Sequence, residues 1–93
     1  MGVRPRQRPE RLAEKLRVIR DALGLSQTQM VKSLEAEEMI VPGQISEFET
    51  GKREPSLLII LRYARAANVS TDVLIDDDLD LPEKLPAKAK HRP

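Results

Sequence analysis

The apolar positions of this chain fall into short blocks with helical spacing, each bounded by a polar cap, a Gly or a Pro. Leu12, Leu16, Ile19 and Leu23 recur at intervals of four, three and four residues, Pro9 suits a first helical turn, and Gly24 supplies a stop. This predicts a first helix over Pro9–Leu23. Ser26 followed by Gln29 reads as a capping box, with Leu25 and Met30 at the staple positions on either side. A second helix therefore starts there and runs through Val31 and Leu34 into the helix-favouring Glu35-Ala36-Glu37-Glu38. Pro42 turns Val41 away from helical geometry and itself opens a third helix carrying Gln44, Ile45 and Phe48, which closes at Gly51. Pro55-Ser56 introduces a fourth helix whose stretch from Leu57 to Leu61 is apolar nearly all round, the mark of the most buried helix of a bundle. It ends near Ala67-Asn68. Ser70 caps a short fifth helix, with Val69 and Leu74 at staple positions and Asp72 near the positive end of its dipole.

These blocks predict an all-α fold, a compact bundle of about five helices. The domain spans residues 9–75; residues 1–8 form a basic arm and residues 76–93 an acidic, then basic, C-terminal tail without structure of its own. Composition agrees, because one Phe and one Tyr leave the interior to Leu, Ile, Val, Met and Ala, and 93 residues suffice for one core. The absence of cysteine removes disulfides and thiolate metal sites, and the single His91 has no second ligand at useful spacing, so neither metal nor cofactor is expected. No nucleophile with its base and no phosphate loop is present, which argues against an enzyme. The opening Met1 to Pro9 lacks the apolar stretch of a secretory signal, and no later run approaches the roughly 20 residues that span a bilayer, so a cytoplasmic protein without membrane contact is expected.

Net charge is +1, but its distribution is uneven. Residues 1–25 carry 7 Lys and Arg against 3 acids, whereas residues 26–55 carry 3 against 6. The basic field lies at the N-terminus, and the segment around the third helix is acidic.

A capped second helix, a turn and a short third helix ending in Gly form the arrangement that lays one helix in the major groove of DNA. Gly24-Leu25-Ser26-Gln27 and Ile45-Ser46-Glu47-Phe48-Glu49-Thr50-Gly51-Lys52-Arg53-Glu54-Pro55-Ser56 resemble the Cro and phage-repressor (XRE-like) helix-turn-helix family, over about residues 9–75. The resemblance implies a lambda-repressor-like domain acting as a transcriptional regulator on double-stranded DNA, as a homodimer. It gives Gln27 a phosphate contact at the first turn of helix 2, where free amides add an anion site, and puts its neighbour Thr28 among the DNA-binding residues; the alternative for Gln27 is a solvated polar residue. It also pairs Arg20 with Glu49 beneath the third helix, a structural role.

On the third helix, Ile45 and Phe48 must face the core, which turns Gly43, Gln44, Glu47 and Thr50 outward with Ser46 at the edge. Gln44 suits bidentate pairing with adenine; Glu47 suits the cytosine amino group or else is a solvated carboxylate. Lys52 and Arg53, just past the helix, suit phosphates, with local anchoring of the loop as the alternative for Arg53. Arg4, Arg6 and Arg8 suit the DNA backbone or a narrow minor groove, or form only a solubilising arm.

Two features depart from the family pattern. Between Leu34 and Ile45 the chain has about four extra residues, and the start of helix 3 offers Pro42 and Gly43, without side-chain hydrogen bonds. An interaction module that binds a protein partner through Glu35–Glu38 or residues 76–81, and an antitoxin-type regulator, stay open beside the DNA reading. For the dimer, Leu74, Ile75, Leu79 and Leu81 are the apolar residues left after the core is assigned, which points to a C-terminal contact.

Overall fold

The structure, a computed structural model, describes residues 8–86. Arg4 and Arg6 lie outside them. The described residues form five helices and no strand: α1 (Leu12–Leu23), α2 (Gln27–Ser33), α3 (Pro42–Thr50), α4 (Leu57–Ala67) and α5 (Thr71–Ile75). Helix α3 packs on α1 and α2, and α4 and α5 pack on α1 and each other. Leu16, Ile19, Met30, Leu34, Ile45, Phe48, Ile59, Tyr63 and Leu74 meet in one core.

Four helix ends share one device. A left-handed residue closes each of them, the C-cap itself at α1, α3 and α4 and the residue after the cap at α2, and the next amide reaches back five residues: Leu25 N to Arg20 O (3.2 Å), Ala36 N to Val31 O (3.1 Å), Lys52 N to Glu47 O (3.0 Å) and Val69 N to Ala64 O (2.9 Å). Gly24, Gly51 and Asn68 are residues that accept this conformation readily; Glu35, at φ 54°, is not. Here the expectation of a longer second helix fails. Arg62 of α4 donates to Leu34 O (3.0 Å) and Glu35 O (2.8 Å), and Ala36 and Ile40 are buried, so capping and burial from outside the segment end α2 at Ser33 despite the helical propensity of residues 35–38.

Helix α1 begins at Leu12, three residues later than Pro9 predicts. The amides of Glu10 and Arg11 donate instead to the two carboxylate oxygens of Asp77, at 2.9 and 3.0 Å. Residues 76–85 are thus not the unstructured exit that their composition suggests; residues 87–93 lie outside the described residues. Arg11 reaches Asp77 O (2.8 Å) and Asp80 Oδ1 (2.7 Å), and Leu81 and Leu85 pack half-buried on the core. Lys15, only 2% exposed, donates from Nζ to Val73 O, Asp76 O and Leu79 O at 2.7–2.9 Å, which satisfies all three ammonium protons.

Two further expectations are corrected by burial. Helix α4 is not apolar-buried all round: Ile59, Ile60, Tyr63, Ala64 and Ala67 face inward, while Leu57 and Leu58 are 82% and 59% exposed. Leu74, counted among residues left over for a dimer, is fully buried, and Leu81 is half-buried; Ile75 and Leu79 remain exposed. No described helix is long and apolar enough to cross a membrane.

Candidate nucleic-acid interface

The surface formed by the start of α2, the outer face of α3 and the loop to α4 carries the polar residues singled out in the sequence. Its lower support is the Arg20–Glu49 pair. Arg20 Nε donates to Glu49 Oε2 (2.7 Å) and Nη2 to Oε1 (3.0 Å), a bidentate fork, while Nη1 donates to Leu25 O (2.9 Å). Glu49 is 6% exposed at its side chain and Arg20 18%, so α1 holds α3 through a charge pair largely removed from water. The hydrogen bond to Glu49 raises the Arg20 pKa against the opposing effect of burial. Beside the pair lies the buried Tyr63 hydroxyl, without a hydrogen-bond partner among the described residues; burial first, and then the Glu49 charge, push its pKa well up.

Helix α2 opens with the capping box read from the sequence: Gln29 N donates to Ser26 Oγ (3.1 Å) and Ser26 N to Gln29 Oε1 (2.8 Å). One amide expected to be open for an anion is therefore already satisfied. Gln27 is half-buried and Thr28 exposed on the first turn.

On α3, Ile45 and Phe48 are buried and Gly43 and Thr50 exposed, with Gln44, Ser46 and Glu47 between. Most of these polar groups already have partners on their own helix or its exit. Val41 N donates to Gln44 Oε1 (3.0 Å), so Gln44 caps the helix it belongs to, and its amino group is the part left for a ligand. Bidentate readout of adenine therefore competes with this capping bond, whose signal in the sequence is Gln44 three residues after Val41. Thr50 Oγ1 donates to Ser46 O (3.0 Å). Arg53 Nε donates to Glu47 Oε1 (2.7 Å), which joins the exit loop to the outer face of α3. A Cβ added at Gly43 would meet nothing within 4 Å, so the protein itself does not require glycine there.

The acids of α3 are balanced locally. Both of its acids are matched by arginines, Glu49 from below by Arg20 and Glu47 from the exit loop by Arg53. Lys52 is exposed beside them, and its ammonium group has no partner among the described residues. The end of the basic arm lies near: Arg8 Nε is 3.9 Å from Glu54 Oε2, and Arg8 and Arg53 line one shallow groove with Phe48 and Pro55. No group of acids and histidines among the described residues could hold a metal.

A protein-family model described as helix-turn-helix matches residues 16–74. Among solved structures, the chain is similar to the P22 c2 repressor protein in complex with a synthetic operator, at 25% identity and a TM-score of 0.62 over 72% of this chain and 96% of that one. No curated protein sequence matches.

Proposed function

The chain belongs to the Cro and phage-repressor (XRE-like) helix-turn-helix family, and on that premise we propose that it is a transcription regulator that binds double-stranded DNA with α3 in the major groove. The observation that carries this reading is its likeness, over most of its length, to a repressor solved on its operator. The packing of α3 across α2 on the Arg20–Glu49 fork, with its polar face outward, supports it. Lys52, Gln27 and Thr28 contact phosphates; Gly43, Gln44, Ser46, Glu47 and Thr50 lie along the base edges, and the basic arm with Arg4, Arg6 and Arg8 contacts the DNA backbone. With Pro42 and Gly43 at its start and Gln44 and Thr50 engaged locally, α3 has few free donors for bases. Phosphate contact and DNA shape then carry much of the affinity.

One helix pair covers a half-site, so the protein acts as a two-fold dimer. With Leu74 in the core, the exposed pairs Ile75 with Leu79 and Leu57 with Leu58 are the surfaces on which to look for its contact. The same exposed Leu57 and Leu58 favour a second reading, in which α4 docks a protein partner instead.

A titration of genomic duplex DNA at two salt concentrations tests the function. A DNA binder weakens steeply as salt rises, because bound phosphates release counterions. Lys52→Ala should weaken all sequences alike and reduce the salt slope by about one unit, while Gln27→Ala weakens them alike and leaves the slope. Salt-independent or absent binding would leave the protein-partner reading in its place.

A further inference from the structure

Arg53 is tied to Glu47 twice. Its backbone N donates to Glu47 O (3.2 Å), next to the bond from Lys52 N (3.0 Å), and its Nε donates to Glu47 Oε1 (2.7 Å). The chain past Gly51 is thereby folded back onto the helix. Both side chains are substantially exposed, at 53% and 40%, and an exposed pair of this kind adds little to stability. Its effect is geometric. Arginine loses much rotamer freedom when it binds, and a guanidinium already held at Nε has part of that loss behind it. Nη1 and Nη2 carry no hydrogen bond among the described residues, so the end of the fork that donates two parallel bonds is open.

Resting on the DNA-binding reading above, we propose that Glu47 is a positioning residue for DNA binding. Its carboxylate fixes the plane of the Arg53 guanidinium so that Nη1 and Nη2 donate together to a paired acceptor on DNA, the O6/N7 edge of a guanine or two oxygens of one phosphate. Glu47 then favours binding although it carries the charge of the phosphates. This is the opposite of what an isolated surface carboxylate would do.

A double-mutant cycle tests this, on a duplex enriched by the wild-type protein from a random-sequence pool. Arg53→Ala should lower affinity about tenfold, and Arg53→Lys, which keeps the charge but not the fork, should lose most of the same affinity. Glu47→Ala should lower affinity when Arg53 is present, and have no effect or raise it in the Arg53→Ala background, a ratio between the two backgrounds of at least about fivefold. A ratio of one within error, or a reversed one, overturns the proposal. Circular dichroism and urea midpoints should stay near wild type for all variants, as expected for exposed residues. Two arms identify the acceptor: 7-deazaguanine at each guanine in turn abolishes the Arg53 effect at one position if a base is read, whereas Arg53→Ala reduces the salt slope by about one unit if a phosphate is bound. Absence of any wild-type binding at low salt would remove the function proposed above and this inference with it; binding with a ratio of one removes this inference alone.

Discussion

The two ends of this small domain use polar side chains in opposite ways. Around α3 the partners are close in sequence: Gln44 bonds Val41 three residues back, Thr50 bonds Ser46 four back, and Arg53 bonds Glu47 six back. Around the start of α1 they are far: Lys15 reaches Val73, 58 residues on, Glu10 reaches Asp77 over 67, and Arg11 reaches Asp80 over 69. Local bonds preserve the shape of the outward face of α3 at little cost in exposed area. The long-range bonds close the domain, because they tie the C-terminal segment to its first helix and satisfy backbone groups that neither could satisfy alone.

The Arg20–Glu49 fork links the two ends, and breaking it should have the largest effect. Arg20→Ala leaves Glu49 nearly buried and unpaired, an expected loss of about 3–5 kcal/mol, enough to unfold much of a domain of this size in a urea titration. A loss below 1 kcal/mol would mean that α3 is held by apolar packing alone. Next comes the closing end. Lys15→Met removes the shared donor of three carbonyls and should cost about 2–4 kcal/mol, with faster amide exchange along residues 76–81. If only the local exchange changes and the global midpoint does not, the C-terminal segment folds independently of the core.

Two smaller changes should stabilise. Glu35→Gly relieves the left-handed Glu at the end of α2 and should raise stability by about 1 kcal/mol, measured by the thermal midpoint, since Gly takes this conformation without strain. Gly43→Ala fills open space on the first turn of α3 and should add up to about 0.5–1 kcal/mol. Because the protein has room there, any change in the preferred DNA sequence on Gly43→Gln comes from the DNA side. An unchanged preference would put the first turn of α3 clear of the bases.

The smallest expected effect is one of pH. The amides of Glu10 and Arg11 hold the Asp77 carboxyl below its ordinary value, so the contact is fully formed above the unfolded value of about 3.9 and is lost as pH falls through the lower folded value. Amide exchange at Glu10 and Arg11, taken relative to the intrinsic rate at each pH, should therefore accelerate in the wild type as pH falls below the ordinary carboxylate value of about 3.9. In Asp77→Asn it should be fast at neutral pH already and show no such step.

Much of this architecture can be read along the chain. The capping box at Ser26 and Gln29, the left-handed ends at Gly24 and Gly51, Pro42 at the start of α3 and the inward Ile45 and Phe48 each depend on residues within one or two helical turns. The family resemblance rests on the same local signals. The Glu47–Arg53 pair is local as well, since Gly51 turns the chain back between the two residues, but nothing in their spacing alone distinguishes a pair from two separate surface charges.

What the amino-acid order determined by itself is therefore the set of elements whose causes are local: where helices begin, where a glycine or asparagine ends them, and which face of α3 turns outward. Other features were decided only by the fold. Arg62 holds the end of α2, where a left-handed glutamate that no local rule would choose follows the cap, Asp77 caps a helix that lies at the other end of the chain, and Lys15 is buried because three carbonyls arrive from α5 and the turn after it. The physical reason is the same in each case. An unsatisfied backbone group at a helix end accepts whichever donor or acceptor the packing brings within about 3 Å, and sequence separation has no bearing on that distance.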